Sequence, residues 1–228
     1  GWRVASHRTA LRPNAQRDPD RGTLRAVVAD DPAIVALAMP DHAALLARSA
    51  CHIGQIAQPL HSFFSLLTDS PALALVAQAQ SKHLTQALLD TPHANLSVLS
   101  AVAPFKAGGR GGAENYTDIP AGPLRHRHAA DLYIHPNSLV GLRLTTAELT
   151  LWLERSVSLF RQINPNAQDA DLIDPEYPSF NFDIIFGLTY QIDLTQPARF
   201  DARGNEVNPQ AQRIRALRFQ GQTPPADQ

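Results

Sequence analysis

The plainest apolar pattern in the chain lies at 146–160. Leu149, Trp152, Leu153, Val157 and Phe160 recur at helical spacing and make one apolar stripe. Thr145 stands just ahead of it, with Glu148 three positions on, which is the spacing of a capping box. A second helix is predicted over 72–89, with Leu73, Val76, Leu84 and Leu88 on one face or its flank. A third begins at Asp31-Pro32, an acidic N-cap followed by proline at the first helical position, and extends to 49. Pro40-Asp41 is expected to break it into two pieces. Its weak amphipathy suits a connecting helix lying on a surface.

Short apolar runs predict strands at 51–58, 96–99, 131–135, 139–144, 182–186, 188–194 and 213–219. Residues 9–23 are polar and without period and read as a linker or surface loop. A glycine-rich loop runs from 104 to 123 and a proline-rich one from 165 to 178. No internal repeat is present. The expected fold is α+β, a mixed sheet covered by the 72–89 and 146–160 helices. The turn at 220–224 leaves nothing behind to close the sheet, so a last element is expected to be missing.

The 228 residues, 44% hydrophobic and 18% charged, are enough for an ordinary core. A formal net charge of -1 provides no global cationic field, so no nucleic-acid polymer is expected as a partner. Lys82 and Lys106 are the only lysines. Cys51 is the only cysteine, which excludes an internal disulfide and a thiolate metal cluster. No apolar run approaches the ~20 residues of a membrane-spanning helix, so no membrane partner is expected.

The stretch Ala103-Pro104-Phe105-Lys106-Ala107-Gly108-Gly109-Arg110-Gly111-Gly112 carries the most chemistry. Glycines let backbone N–H groups approach an anion and permit the positive-φ turns of an anion-binding nest. Arg110 adds a planar fork suited to phosphate and Lys106 a second positive charge. A flexible surface loop is the alternative, because the pattern is neither a P-loop nor a dinucleotide fingerprint. His126 and His128 would share one face of an extended segment as a metal pair, though no carboxylate sits at a suggestive spacing. Ser62 beside His61 invites a nucleophile reading that nothing nearby supports. Tyr133, Tyr190 and Trp152 fit packing better than ligand contact. Phe180 and Phe182 flank Asn181, and either could touch a base, with core packing favoured for Phe182.

The glycine-rich stretch, followed by Tyr116-Thr117-Asp118-Ile119-Pro120-Ala121-Gly122, resembles the bacterial 2′,3′-cyclic-nucleotide 2′-phosphodiesterase/3′-nucleotidases of the 5′-nucleotidase superfamily. So do Ala130-Asp131-Leu132-Tyr133-Ile134-His135-Pro136-Asn137, Asn181-Phe182-Asp183, and the run from Thr189 to Arg199. The likeness keeps its order from 59 to 221. It implies a C-terminal substrate-binding domain at 51–228, a linker helix at 31–50, and the end of a metallophosphatase domain with its linker loop at 1–30. Two divalent metal ions would belong to that domain and none to this chain. It further implies nucleotides and nucleosides as ligands, the parent metallophosphatase domain as partner, and a periplasmic setting. Lys106, Gly108, Gly109 and Arg110 would meet the phosphate, while His135, Asn137 and Phe180 would face the nucleoside. Histidine at 135, where the family commonly has tyrosine, offers a smaller stacking face, and the second clamping aromatic would lie beyond Gln228. Alone, the chain would bind without catalysing. A 5′-nucleotidase or nucleotide-sugar hydrolase would share the architecture, and a non-catalytic ligand-binding protein, the other alternative, would lack any upstream metal domain.

Overall fold

The computed structural model describes residues 2–19 and 22–223, with only the backbone of Arg110. The chain divides into two units, one through Cys51 and one from His52 onward.

The first unit holds a hairpin and a helix. Strand β1 (Ala15–Arg17) pairs antiparallel with β2 (Leu24–Ala26), inside and just beyond the stretch expected to be irregular. A turn closes it, with Gly22 N–H donating to the Asp18 carbonyl at 2.9 Å. Helix α1 (Pro32–Ala50) starts as its sequence requires. The Asp31 carboxylate accepts from the N–H groups of Ala33 (2.8 Å) and Ile34 (3.3 Å), with Pro32 in the first turn. The expected break at Pro40 does not occur, and the helix is continuous across it. Proline removes a single intrahelical bond, and the alanine-rich turns on either side have the helix propensity to bridge it.

Among the described residues the second unit contains four two-stranded antiparallel ladders rather than one sheet. Strand β3 (His52–Ile56) pairs with β7 (Gly122–Arg125), and β4 (Leu60–His61) with β6 (Asp118–Ile119). Strand β5 (Ser100–Val102) pairs with β8 (Ile184–Phe186), and β9 (Leu188–Ile192) with β10 (Ile214–Phe219). Helix α2 (Pro71–Leu88) packs on β5 and β4, burying Ala72, Leu73 and Ala77. A short helix α3 (His126–Leu132) follows β7. Helix α4 (Thr146–Ser156) begins at the predicted capping box: Glu148 N–H donates to Thr145 Oγ1 (3.2 Å), and Thr145 N–H to Glu148 Oε2 (2.8 Å). It tightens into a 3₁₀ turn, Val157–Leu159.

The largest core is built on the predicted stripe of α4. Leu153, Val157 and Phe160 are buried with Tyr177, Phe182, Ile185 and Ile214, and Leu149 and Trp152 pack at its edge. Two charged groups lie inside this core. The Glu154 carboxylate accepts from the backbone N–H of Arg213 and of Ile214, each at 2.8 Å, and so fastens α4 to the start of β10. The Arg213 guanidinium, only 1% exposed, donates to the carbonyls of Gln196, Val157 and Phe160. Backbone partners make these buried charges tolerable.

Three predicted strands are displaced. The 96–99 run precedes the strand, which starts at Ser100, and 139–144 forms no ladder among the described residues. Residues 131 and 132 end α3 instead of opening a strand. His128 Nδ1 accepts from Arg125 N–H at 3.2 Å, a one-way side-chain cap that starts a helix at His126.

Candidate ligand site at the glycine-rich loop

Just beyond β5 the chain enters a narrow loop whose two sides are joined rung by rung. The Ser62 hydroxyl donates to the Lys106 carbonyl and accepts from Thr117 N–H at 2.9 Å. Ala107 bridges to Tyr116, and Gly108 N–H donates to the Asn115 carbonyl at 2.9 Å. At the tip Gly109–Gly111 form a 3₁₀ turn, closed by Gly111 N–H to Gly108 O (3.1 Å) and Gly112 N–H to Gly109 O (3.0 Å). The loop is therefore an ordered hairpin-like hook and not a loose excursion.

Glycine at 108 is obligatory on two grounds. Its φ of 67° and ψ of -135° lie in a region that side chains rarely enter. A Cβ there would also stand 2.3 Å from the Tyr116 hydroxyl oxygen. Gly109 has φ 57° with open space around it, so backbone conformation alone selects it. The tip presents the backbone of Arg110; its side chain lies outside the described structure.

Lys106 does not present an unshared ammonium group. Its Nζ pairs with Asp131 Oδ1, both side chains being partly exposed. An incoming anion would share this lysine with Asp131. The pair also anchors the segment after α3, and Thr117 Oγ1 reinforces it by donating to the Asp131 carbonyl at 3.1 Å. Phe105 then meets two rings of that segment edge-on: Tyr133 and His135, each with centroids 5.3 Å away. Asn137 Nδ2 donates to the Tyr133 hydroxyl at 3.1 Å. Lys106, Gly108, Gly109, His135 and Asn137 are thus gathered around one loop and one facing segment. A cleft of about 610 Å3, lined by Tyr116, Asp118, Arg127, His128 and Asp131 among others, opens beside this junction.

Phe180 stands apart. It is 57% exposed on the 3₁₀ turn Ser179–Asn181, with no hydrogen bond or ring contact to the loop among the described residues. Phe182 is buried in the main core, as the packing alternative had it. Phe105 and Asp131, which organise the junction, carried no signal of that role. An aromatic beside the lysine and a carboxylate 25 residues away are joined only by the fold.

The secondary candidates resolve into structural roles. His128 caps α3. Ser62 is buried and both its hydroxyl bonds go to backbone, so it is no nucleophile. Trp152 Nε1 donates to Asp183 Oδ2 at 2.8 Å. Burial holds that carboxyl above its ordinary pKa, against the lowering effect of the indole bond. Tyr190 is half-buried, and burial, with Asp69 adding to it, pushes its hydroxyl up to about 12. Among the described residues no three His, Cys, Asp or Glu side chains gather closely enough to hold a metal ion. No described helix is long and apolar enough to cross a membrane.

The family model of the 5′-nucleotidase C-terminal domain matches residues 52–224. The chain belongs to that family. The match begins where the second unit begins. A 2′,3′-cyclic-nucleotide 2′-phosphodiesterase/3′-nucleotidase of Haemophilus influenzae is 39% identical over 224 residues, covering 96% of this chain and 34% of its own length. The same-named protein of Salmonella typhimurium is 36% identical over the same extent. A trifunctional nucleotide phosphoesterase of Bacillus subtilis is 41% identical over 170 residues, 74% of this chain and 12% of its own. The chain thus spans about a third of the first-named relatives' length. A solved Staphylococcus aureus chain, assigned as a 5′-nucleotidase, superposes with TM-score 0.51 over 94% of this chain and 38% of its own, at 20% identity. That likeness shows the fold alone, and it is α+β.

Proposed function

We propose that this 5′-nucleotidase C-terminal domain is the nucleotide-binding part of a phosphoesterase that converts 2′,3′-cyclic nucleotides to 3′-nucleotides and these to nucleosides. The observation that carries the proposal is the 36–39% identity, over 96% of the chain, to relatives bearing that activity in their names. The hook is shaped for its part in this. Gly108 and Gly109 bring backbone close to a phosphate, Arg110 adds a charged fork, and Lys106 contributes a cation already held by Asp131. His135, steadied by Phe105, offers a ring face to the base, and Asn137 lies beside it on the nucleoside side, whereas Phe180 stands apart from this junction.

Hydrolysis by this route uses two divalent metal ions, which would activate water and polarise the phosphoryl group in a metallophosphatase domain outside this chain. The described residues of this chain do not fit such a centre, and their part is to bind and orient. The setting that accords with this activity is nucleotide catabolism in the periplasm.

The test is a titration of the 228-residue chain with 3′-AMP and with adenosine, followed by NMR. Resonances of Gly108, Gly109 and Arg110 should move with 3′-AMP only, while those of His135 and Asn137 move with both. Shifts confined to other regions would refute the assignment.

A further inference from the structure

Ser62, two residues into the chain's path beyond Leu60, is spent on the glycine hook although it lies more than forty residues before it. One hydroxyl spans the neck: it donates to the carbonyl of Lys106 and accepts from the N–H of Thr117, the last residue on each side before the hook opens. The rest of Ser62 is equally occupied. Its N–H donates to the Thr117 carbonyl at 3.1 Å, continuing the β4·β6 ladder, and its carbonyl accepts from Ser65 Oγ at 2.8 Å. The side chain is thereby held in one rotamer in a site only 4% exposed.

A second support stands beside the first. His61 stacks on Phe63 (centroids 5.1 Å), and Phe63 meets Tyr116 at 5.2 Å. The Tyr116 hydroxyl fills the space a Cβ at Gly108 would occupy. Residues 61–63 therefore touch the hook at two levels: at the neck, through the Lys106 carbonyl and the Thr117 amide, and further up, through Tyr116, at Gly108. A hydroxyl is the right group at the neck, since it can donate to one strand and accept from the other at once. An apolar side chain there would leave a buried carbonyl and a buried N–H unpaired.

We propose that Ser62 is a positioning residue, which with the tilted Phe63–Tyr116 ring contact holds the hook in its anion-binding shape before ligand arrives. This rests on the reading of the hook as the phosphate subsite. Preorganisation lowers the ordering cost of binding, so its loss should weaken phosphate capture while sparing the nucleoside side of the site.

Ser62→Ala and Arg110→Ala are compared with the unaltered 228-residue chain. Three readouts are taken: affinity for 3′-AMP, affinity for adenosine, and amide hydrogen exchange across 106–117. For Ser62→Ala we expect about tenfold weaker 3′-AMP binding, adenosine binding within about twofold, and faster exchange confined to the hook. Unchanged 3′-AMP affinity, or equal loss for nucleotide and nucleoside, overturns the proposal. If Arg110→Ala weakens 3′-AMP while Ser62→Ala does not, the brace fails and the phosphate subsite stands. If Arg110→Ala is also silent, both fall. Should Ser62→Ala not fold, Tyr116→Leu, which removes the second support, is read against the same outcomes.

Discussion

Gly108 and Gly109 are neighbours with positive φ, yet the structure predicts very different consequences when each becomes alanine. At Gly109 the added methyl meets nothing within 4 Å, so the cost is that of the left-handed backbone alone, about 1 kcal/mol. At Gly108 the backbone sits at φ 67° and ψ -135°, where a non-glycine residue costs on the order of 2 kcal/mol. The methyl would also stand 2.3 Å from the Tyr116 oxygen and 2.7 Å from the ring carbon bearing it. Tyr116 cannot swing away freely, because Ala107 bridges to its backbone and Phe63 packs on its ring. Displacing it adds about 1 kcal/mol, so Gly108→Ala should cost about 3 kcal/mol in all. Urea unfolding of both variants, extrapolated with a common slope, measures the difference. Tyr116→Ala supplies the second arm. Combined with Gly108→Ala it should recover about 1 kcal/mol, whereas combined with Gly109→Ala it should be additive. Equal destabilisation by the two glycine variants, or additivity in both pairs, would refute the steric account of Gly108.

Arg110→Ala in the parent enzyme should lower kcat/KM for 3′-nucleotides roughly ten- to a hundredfold and leave nucleoside inhibition constants unmoved, with Arg110→Lys recovering part of the loss. The chain alone, supplied with divalent metal, should show no hydrolysis of cyclic or 3′-nucleotides above background; robust turnover would overturn the division of labour proposed for it. Asp183, with a folded pKa raised by burial, should make stability fall as pH rises from the ordinary carboxylate value near 4 up to the raised value, since the unfolded chain ionises first. Asp183→Asn, which can still accept from Trp152, should remove that slope from Tm measured between pH 3 and 7. Glu154→Ala strands two buried N–H groups and should lower urea stability by about 3 kcal/mol, with Glu154→Gln less damaging because one acceptor remains.

What the sequence made legible follows from which signals are local. The α4 stripe and its capping box declared themselves because both operate within one or two turns, and the structure realises both. The same holds for Asp31-Pro32 at the start of α1. The ladders were harder. Strands of two to five residues such as β4, β6 and β3 have too few positions to show alternation, and β7 holds Pro123. They exist because distant partners align, and a pattern within the segment does not announce that. The 131–135 run misled for a related reason: its apolar residues suit either state, and the deciding event is the His128 side chain closing on Arg125 N–H. At the site, the glycines and their flanking cations were readable as composition. Lys106, however, reads in the sequence as an available charge, and spacing gives no sign of the carboxylate that engages it. Ser62 stands out in the sequence only for its neighbour His61, while the partners of its hydroxyl lie 44 and 55 residues away.

The exposed turn at 89–95 lies between α2 and β5, and every ladder of the 52–61 segment is made with strands on its far side. A covalent break in this turn would therefore sever the polypeptide without opening one rung. The piece before the break would bring β3, β4 and α2, and the piece after it β7, β6 and β5, so that each half carries the complement of the other. Expressed as separate chains, the two halves should find each other and restore the neck at Ser62, which makes the second unit a split reporter whose signal is the assembly of its own binding hook.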